Sequence, residues 1–216
     1  ASLNSRFAFI EGDLLDTERL RSAAQGCGIV YHMAANADVR FGTEYPRKDL
    51  EQNTIATFNV LEAMRANGVK RIVFPSTGSV YGEPDVHPTP EDAPFPIQTS
   101  LYGASKLACE GLISAYCEGF GFQGWIFRFV SVLGERYTHG HVFDFYRSLL
   151  RDPNHLHVLG NGKQRKSYMY VHDCVDAMLL ASKHANAKIN ILNFGLDEFI
   201  EVDDSVRTIC EQLGIN

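Results

Sequence analysis

The sequence contains no run of 18 or more apolar residues, no Cys-x-x-Cys and no surplus of basic side chains. The first absence leaves nothing long enough to cross a bilayer as a helix. Ala1 to Phe9 also lacks the charged-then-apolar order of a signal peptide, so the cytoplasm is the expected compartment and no membrane partner is expected. The five cysteines, Cys27, Cys109, Cys117, Cys174 and Cys210, are odd in number and scattered, with no histidine at metal-ligand spacing. They are expected to be small buried hydrophobes in a reducing compartment rather than disulfides or zinc ligands. His139-Gly140-His141 comes nearest to a metal motif, but His-x-His alone is weak, and no metal is expected. With 20 Lys and Arg against 26 Asp and Glu, a net charge of −6, the chain offers no broad basic surface for nucleic acid.

What is present is the composition of a folded α/β chain: 216 residues, 45% of them hydrophobic, enough to bury one large core or a core with a small added lobe. Phe7 to Glu11 and Ile29 to Met33 read as strands around a helix at Asp16 to Ala24. Asp49 to Asn67 repeats apolar residues at helical period, stops at Asn67-Gly68 and feeds a buried strand at Arg71 to Phe74. Pro75-Ser76-Thr77-Gly78-Ser79 follows as a turn of small residues. Gly82 to Thr99 holds five prolines and no periodicity, a long loop of the kind that usually serves function. A helix from Leu101 to Glu118 then leads to a strand at Gly124 to Phe129. This alternation predicts a parallel sheet with right-handed crossovers. Beyond Gly134 the pattern predicts helices at His141 to Arg151, Asp173 to His184 and Val202 to Leu213, with strands at Leu156 to Leu159, Lys166 to Val171 and Ile189 to Phe194.

The chemistry is concentrated in Tyr102-Gly-Ala-Ser-Lys106. On a helix, positions i and i+4 share a face, so Lys106 can reach back toward Tyr102 or toward a ligand between them. A free phenol, with a pKa of about 10, is a poor base at neutral pH, and a nearby positive charge favours its ionised form. The spacing alone is common on exposed helices. Its surroundings change the reading, because ligands of doubly wound sheets sit outside the carboxyl ends of the strands, where Thr77 would present its hydroxyl.

A strand-end hydroxyl followed by a helix bearing Tyr and Lys resembles the catalytic triad of the extended short-chain dehydrogenase/reductase superfamily. Within it the likeness is to the NAD-dependent epimerase/dehydratase family and its UDP-glucose 4-epimerases. Ser76 to Gly82, Arg128 to Gly134 and Leu159 to Tyr168 narrow it to that group. The resemblance implies a Rossmann-type doubly wound parallel sheet over residues 1–130, and a smaller α/β substrate lobe in 131–216 interleaved with it. It further implies NAD as cofactor, a UDP-sugar as substrate, and a homodimer in which the helices Asp49 to Asn67 and Leu101 to Glu118 pair as a four-helix bundle.

By that resemblance Thr77, Tyr102 and Lys106 are the catalytic residues. Asp13 and Leu14 lie near the adenine, Met33, Ala34 and Ala35 form the small-residue strand end beside the cofactor, Asn53 braces the central strands, and Ser76 and Val130 complete the cofactor contacts with Tyr102 and Lys106. Thr77, Ser131, His141, Val142, His157, Leu159 and Lys166 face the substrate, and Asp173 sits at a strand-to-helix junction where it is suited to cap the helix. The dehydratases of the family carry an Asp-Glu pair directly after the active-site Thr. Here those positions are Gly78 and Ser79, neither an acid nor a base at neutral pH, which disfavours elimination of water and, less strongly, decarboxylation.

Three departures stand beside the likeness. The chain holds no Gly-x-x-Gly-x-x-Gly, so the first βαβ unit, whose helix N-terminus receives the pyrophosphate, is not found in it, and the sheet is expected to be incomplete at that end. The C-terminal end of the family's sugar lobe is not found either. Ser131 stands where the family usually has Asn, and Lys166 where it has Arg; Lys lacks the bidentate fork of Arg, and Lys163 to Lys166 also reads as a solvated basic turn. An NADP-dependent carbonyl reductase of the same fold, a dehydratase or decarboxylase, and a non-catalytic fragment remain the alternatives.

Overall fold

A computed structural model describes residues 7–39, 41–95 and 97–215; residues 1–6, on which part of the leader reading rests, lie outside it. Four strands form one parallel sheet in the order β1 (Val30–Tyr31), β2 (Arg71–Thr77), β3 (Gln123–Phe129) and β7 (Ile189–Phe194). The central pair reads as two-sided burial demands, with Ile72, Val73, Phe74, Trp125, Ile126 and Phe127 all inaccessible to solvent. Full burial of such side chains is worth about 1.5–3 kcal/mol each.

Helices cover both faces. On one side α1 (Thr17–Ala23), α4 (Ala56–Ala66) and α5 (Leu101–Phe120) pack through Val60, Leu61, Met64, Ile113 and Cys117 against Ile72, Phe74 and Ile126. On the other, α7 (Val171–His184) covers Val73, Trp125 and Phe127 through Met178 and Ala181. Two short helices, α2 (Phe41–Glu44) and α3 (Pro46–Asp49), run into a π-helical segment at Leu50–Ile55 that continues directly into α4.

The remaining chain builds a second group: β4 (Ser131–Leu133) beside β6 (Tyr168–Tyr170) in parallel, β5 (Arg165–Lys166) antiparallel to β8 (Ile200–Glu201), and the helices α6 (His141–Arg151) and α8 (Val202–Leu213) packed together. β7 returns from this region to pair with β3.

Several expectations are corrected. Phe7 to Glu11 forms no strand, because no described strand lies alongside it to accept its hydrogen bonds; Phe7, Phe9 and Ile10 are exposed. Leu156 to Leu159 is irregular, and the expected strand at Lys166 to Val171 is broken at Ser167, whose hydroxyl donates to Leu196 O at 3.0 Å. Pro75 to Thr77 belongs to β2 rather than to a turn, and the turn begins one residue later as a 3₁₀ segment at Gly78–Tyr81. Asp173 lies inside the first turn of α7, whose N-cap position is Tyr170; its carboxylate complements the positive end of the helix dipole from within the turn and is not the cap. Among the described residues no helix is long and apolar enough to cross a membrane, and no group of three His, Cys, Asp or Glu could hold a metal ion.

Candidate active site

The site is assembled at the carboxyl end of β2, where alternation sends successive side chains to opposite faces. Ser76 turns inward, its hydroxyl donating to the buried Glu110 carboxylate, and Thr77 turns toward the start of α5. Thr77 Oγ1 accepts from Ser79 N at 3.1 Å and so caps the 3₁₀ turn that carries the chain out of the sheet. The helix α5 begins where Ser100 Oγ accepts from Gly103 N at 3.0 Å, and it ends at Gly121 in the left-handed region, φ 64°. Gly103 is required by contact: a Cβ there would stand 2.9 Å from Ser79 O. Only glycine lets the first turn of α5, with Tyr102, close down on the turn after Thr77.

Tyr102 and Lys106 then fall on one face of α5. Lys106 is 3% exposed, with Nζ 4.0 Å from the centroid of the Phe74 ring. Its ammonium has no hydrogen-bond acceptor among the described residues. Burial pulls its pKa down to about 8, against the opposing pull of Cys109 and Glu110. The Tyr102 phenol is raised above the ordinary tyrosine range, chiefly by burial, with Thr77 acting through a hydrogen bond in the other direction and Asp49 adding to the rise. With the Lys106 ammonium over the Phe74 ring, burial is the largest influence on the phenol.

Behind the pair lies a polar lattice. The π-helical segment rotates Asn53 into the interior, where its Oδ1 accepts from Asn36 N at 2.8 Å and its Nδ2 donates to Ser105 Oγ at 2.9 Å. Ser105 Oγ donates in turn to Tyr102 O at 2.8 Å, so the loop after β1 is tied to the backbone of the tyrosine. Asp49 accepts from Asn36 Nδ2 at 2.7 Å. Asn53 thus joins the loop after β1 to α5.

His32, at the end of β1, is 4% exposed and its Nε2 lies 3.0 Å from Thr57 Oγ1. Burial first, and Lys106 second, lower its pKa to about 4. A neutral His32 spares Lys106 a second cation. Because the folded pKa lies below the unfolded value near 6.5, stability is full above pH 6.5 and lost as pH falls through 4, to about 3 kcal/mol if this shift acts alone. In a His32→Gln variant, urea titrations between pH 6.5 and 4 should show a pH slope of stability smaller by up to one proton.

A family model for the NAD dependent epimerase/dehydratase family matches residues 1–195. The chain belongs to that family. A UDP-glucose 4-epimerase of Corynebacterium glutamicum is 31% identical over 223 residues, covering 95% of this chain and 67% of that protein. A crystal structure of a UDP-galactose 4-epimerase superposes with a TM-score of 0.87 at 40% identity, covering 94% of this chain and 67% of that one. The UDP-glucose 4-epimerase of Thermus thermophilus, in complex with NAD, does so with a TM-score of 0.86 at 30% identity, over 99% of this chain and 71% of that one. The chain thus spans about two thirds of the length of these relatives. It is an epimerase-like enzyme of the isomerase class, and NAD is its cofactor.

Observed features of this member of the family fit that cofactor in part. A lysine ammonium beside a phenol and a hydroxyl suits a ribose diol, and the exposed Ala34 and Ala35 leave room for a close approach. Met33 is exposed beside them. Asp13 and Leu14 lie in the turn before α1, where Asp13 Oδ1 accepts from Leu15 N and Leu14 O accepts from Asn59 Nδ2 of α4. Val130 is half-buried against Gly195, and its N–H donates to Phe194 O at 3.0 Å.

On the far side, Ser131 pairs with Tyr168 across β4 and β6. His141, the first residue of α6, is hydrogen-bonded through Nε2 to Tyr168 Oη at 2.7 Å, and burial and the nearby Lys166 lower its pKa. Val142 follows it, half-buried. Lys166 is exposed on β5, and Arg165 stacks 4.4 Å from the Phe199 ring. His157 and Leu159 stand apart on an exposed irregular segment, with Leu159 O accepting from Gln164 Nε2. Lys163 is already paired, with Glu201 and Asp203, so the basic turn is only partly a free charge.

Sequence reasoning missed Asn36, Asp49, Glu110 and Arg128. One signal was available: an arginine inside the otherwise apolar run Trp125-Ile126-Phe127-Arg128-Phe129 calls for a buried countercharge.

Proposed function

We propose that this chain serves epimerisation at C4 of a UDP-hexose through a transient 4-keto sugar. The observation that carries the reading is the convergence of Thr77, Tyr102 and the buried Lys106 at the end of β2, with Gly78 and Ser79 where a dehydratase needs acids.

NAD, when bound, supplies a hydride acceptor and a positive charge. Tyr102 takes the O4 proton of the sugar as hydride leaves C4. Thr77 donates to O4 and holds the phenol, and Lys106 donates to the cofactor ribose and lends charge that favours the ionised phenol. Once the ketone has presented its other face, Tyr102 would return the proton to O4, so that the sugar undergoes no net oxidation. Asp13, Leu14, Met33, Ala34, Ala35, Asn53 and Val130 serve the cofactor, with Ser76 contributing backbone because its hydroxyl is committed to Glu110. Ser131, His141, Val142 and Lys166 serve the UDP-sugar, with His157 and Leu159 at the uracil end. The homodimer reading draws support from Leu50, Ile55 and Phe58, which are exposed along the π segment and α4.

Incubation of the full protein with UDP-galactose should yield UDP-glucose, detected by chromatography of the nucleotide sugars, with no net change in reduced nicotinamide absorbance. A 4-keto-6-deoxy sugar as product would overturn the reading in favour of a dehydratase, and stoichiometric cofactor consumption in favour of a reductase.

A further inference from the structure

We propose that Arg128 and Glu110 are positioning residues, a buried pair that seats the proline-rich loop 82–99 on the sheet with one end and keeps Lys106 an ammonium with the other. Arg128 of β3 and Glu110 of α5 have side chains 1% and 4% exposed and meet at 2.8 Å. Arg128 Nε donates to both carboxylate oxygens at 3.2 Å and Nη2 donates to Oε2. The second arm of the guanidinium points to the loop: Nη1 donates to Tyr81 Oη at 2.6 Å and to Glu91 O at 2.9 Å, and Cζ lies beside the stacked Tyr81 and Phe95 rings, 4.8 and 5.0 Å from their centroids. Asn193 of β7 completes the seat. It accepts from Tyr81 Oη at 2.8 Å, its N–H donates to Glu91 Oε1 at 2.8 Å, and its Nδ2 donates to Thr89 O at 2.7 Å.

Stability alone does not account for such a pair, since well-packed apolar replacements of buried ion pairs are often neutral or stabilising. Its place in the fold does. The loop it seats connects the Thr77 turn to the capped start of α5, so a loosened loop frees the first turn that carries Tyr102. Glu110 stands one helical turn after Lys106 on α5. Of the groups coupled to Lys106, His32, just after β1, and Cys109 of α5 are neutral at pH 7, and the Phe74 ring of β2 carries no charge. Glu110 is the carboxylate among these, one helical turn from Lys106, and its charge favours the ammonium. The inference rests on the proposed working roles of Tyr102 and Lys106 for its consequence. Its tests read the loop and the ammonium directly, so a negative epimerase assay leaves them standing.

Three variants of the full chain separate the two arms. Arg128→Lys keeps a charge but cannot reach Glu110, Tyr81 and Glu91 together, so the Ala93 and Asn193 amides should exchange with deuterium at least about tenfold faster than in the unsubstituted chain. Glu110→Gln keeps an acceptor for Ser76 but no charge. The acid dissociation constant of Lys106, followed by ¹⁵Nζ resonance and assigned by its loss in Lys106→Met, should rise about tenfold. The double replacement Glu110→Leu with Arg128→Met strands no buried charge, so it should fold and show both effects at once. Loop exchange within twofold of the unsubstituted chain in the first variant, an unmoved Lys106 titration in the second, or a folded double variant with native values of both would overturn the proposal.

Discussion

Tyr102→Phe should lower turnover of the full protein by about 10²–10⁴-fold while leaving UDP-sugar affinity nearly unchanged, the range typical of losing a general base. The substitution keeps the ring, so the packing of a side chain largely buried at the start of α5 is retained and only the hydroxyl facing Thr77 disappears. Binding should survive because the residues assigned to the UDP-sugar besides Thr77 lie on β4, α6, β5 and the segment 157–159, none of them on α5. Steady-state turnover with UDP-galactose and calorimetric titration with UDP check the two halves independently. Near-normal turnover in the Phe variant would remove Tyr102 from the mechanism.

The second large effect has opposite signs in activity and stability. Lys106→Met should abolish turnover to a similar degree or more, since it removes the donor to the cofactor ribose and the charge that favours an ionised Tyr102. The same change should stabilise the fold by about 1–3 kcal/mol at pH 7, because burial has pulled the ammonium from 10.5 to about 8 and each pKa step is worth about 1.4 kcal/mol. The folded chain loses this proton at lower pH than the unfolded one, so the cost of the charge is complete below pH 8 and vanishes toward pH 10.5. The stability gap between variant and parent, read from urea midpoints, should accordingly narrow as pH rises from 8 to 10.5. A Met variant no more stable than the parent at pH 7 would mean that the ammonium is better solvated than its burial implies.

Such a strained arrangement explains why the site could be read only in part. The positions of Tyr102, Lys106 and Thr77 follow from local rules: helical periodicity places i and i+4 together, and a strand end places its last side chain at the sheet's rim. The same rules gave α6, β7 and α8 with their observed bounds, since each carries its own period and terminates at Gly, Asp or a turn. Where a strand depends on a partner, as at Phe7 to Glu11 or Leu156 to Leu159, apolar content alone misled, because a strand exists only if another supplies its hydrogen bonds. The short β4, β5 and β8, of two or three residues each, exist for the complementary reason: their partners hold them.

The chain's own residue order determined the alternating α/β plan, the Tyr-x-x-x-Lys face and the absence of acids at Gly78 and Ser79. Only the tertiary structure decided which way the polar side chains turn. Glu110 lies 18 residues from Arg128 and 34 from Ser76, and Asn53 lies 52 from Ser105, so no local window relates them. Folding brings them into one interior of low dielectric, where an unpaired charge is costly and a paired one fixes its neighbours. The same burial that raises the Tyr102 phenol and lowers Lys106 is a property of the packed core, set by β1, β2 and α4 around α5, and no single one of these segments contains it.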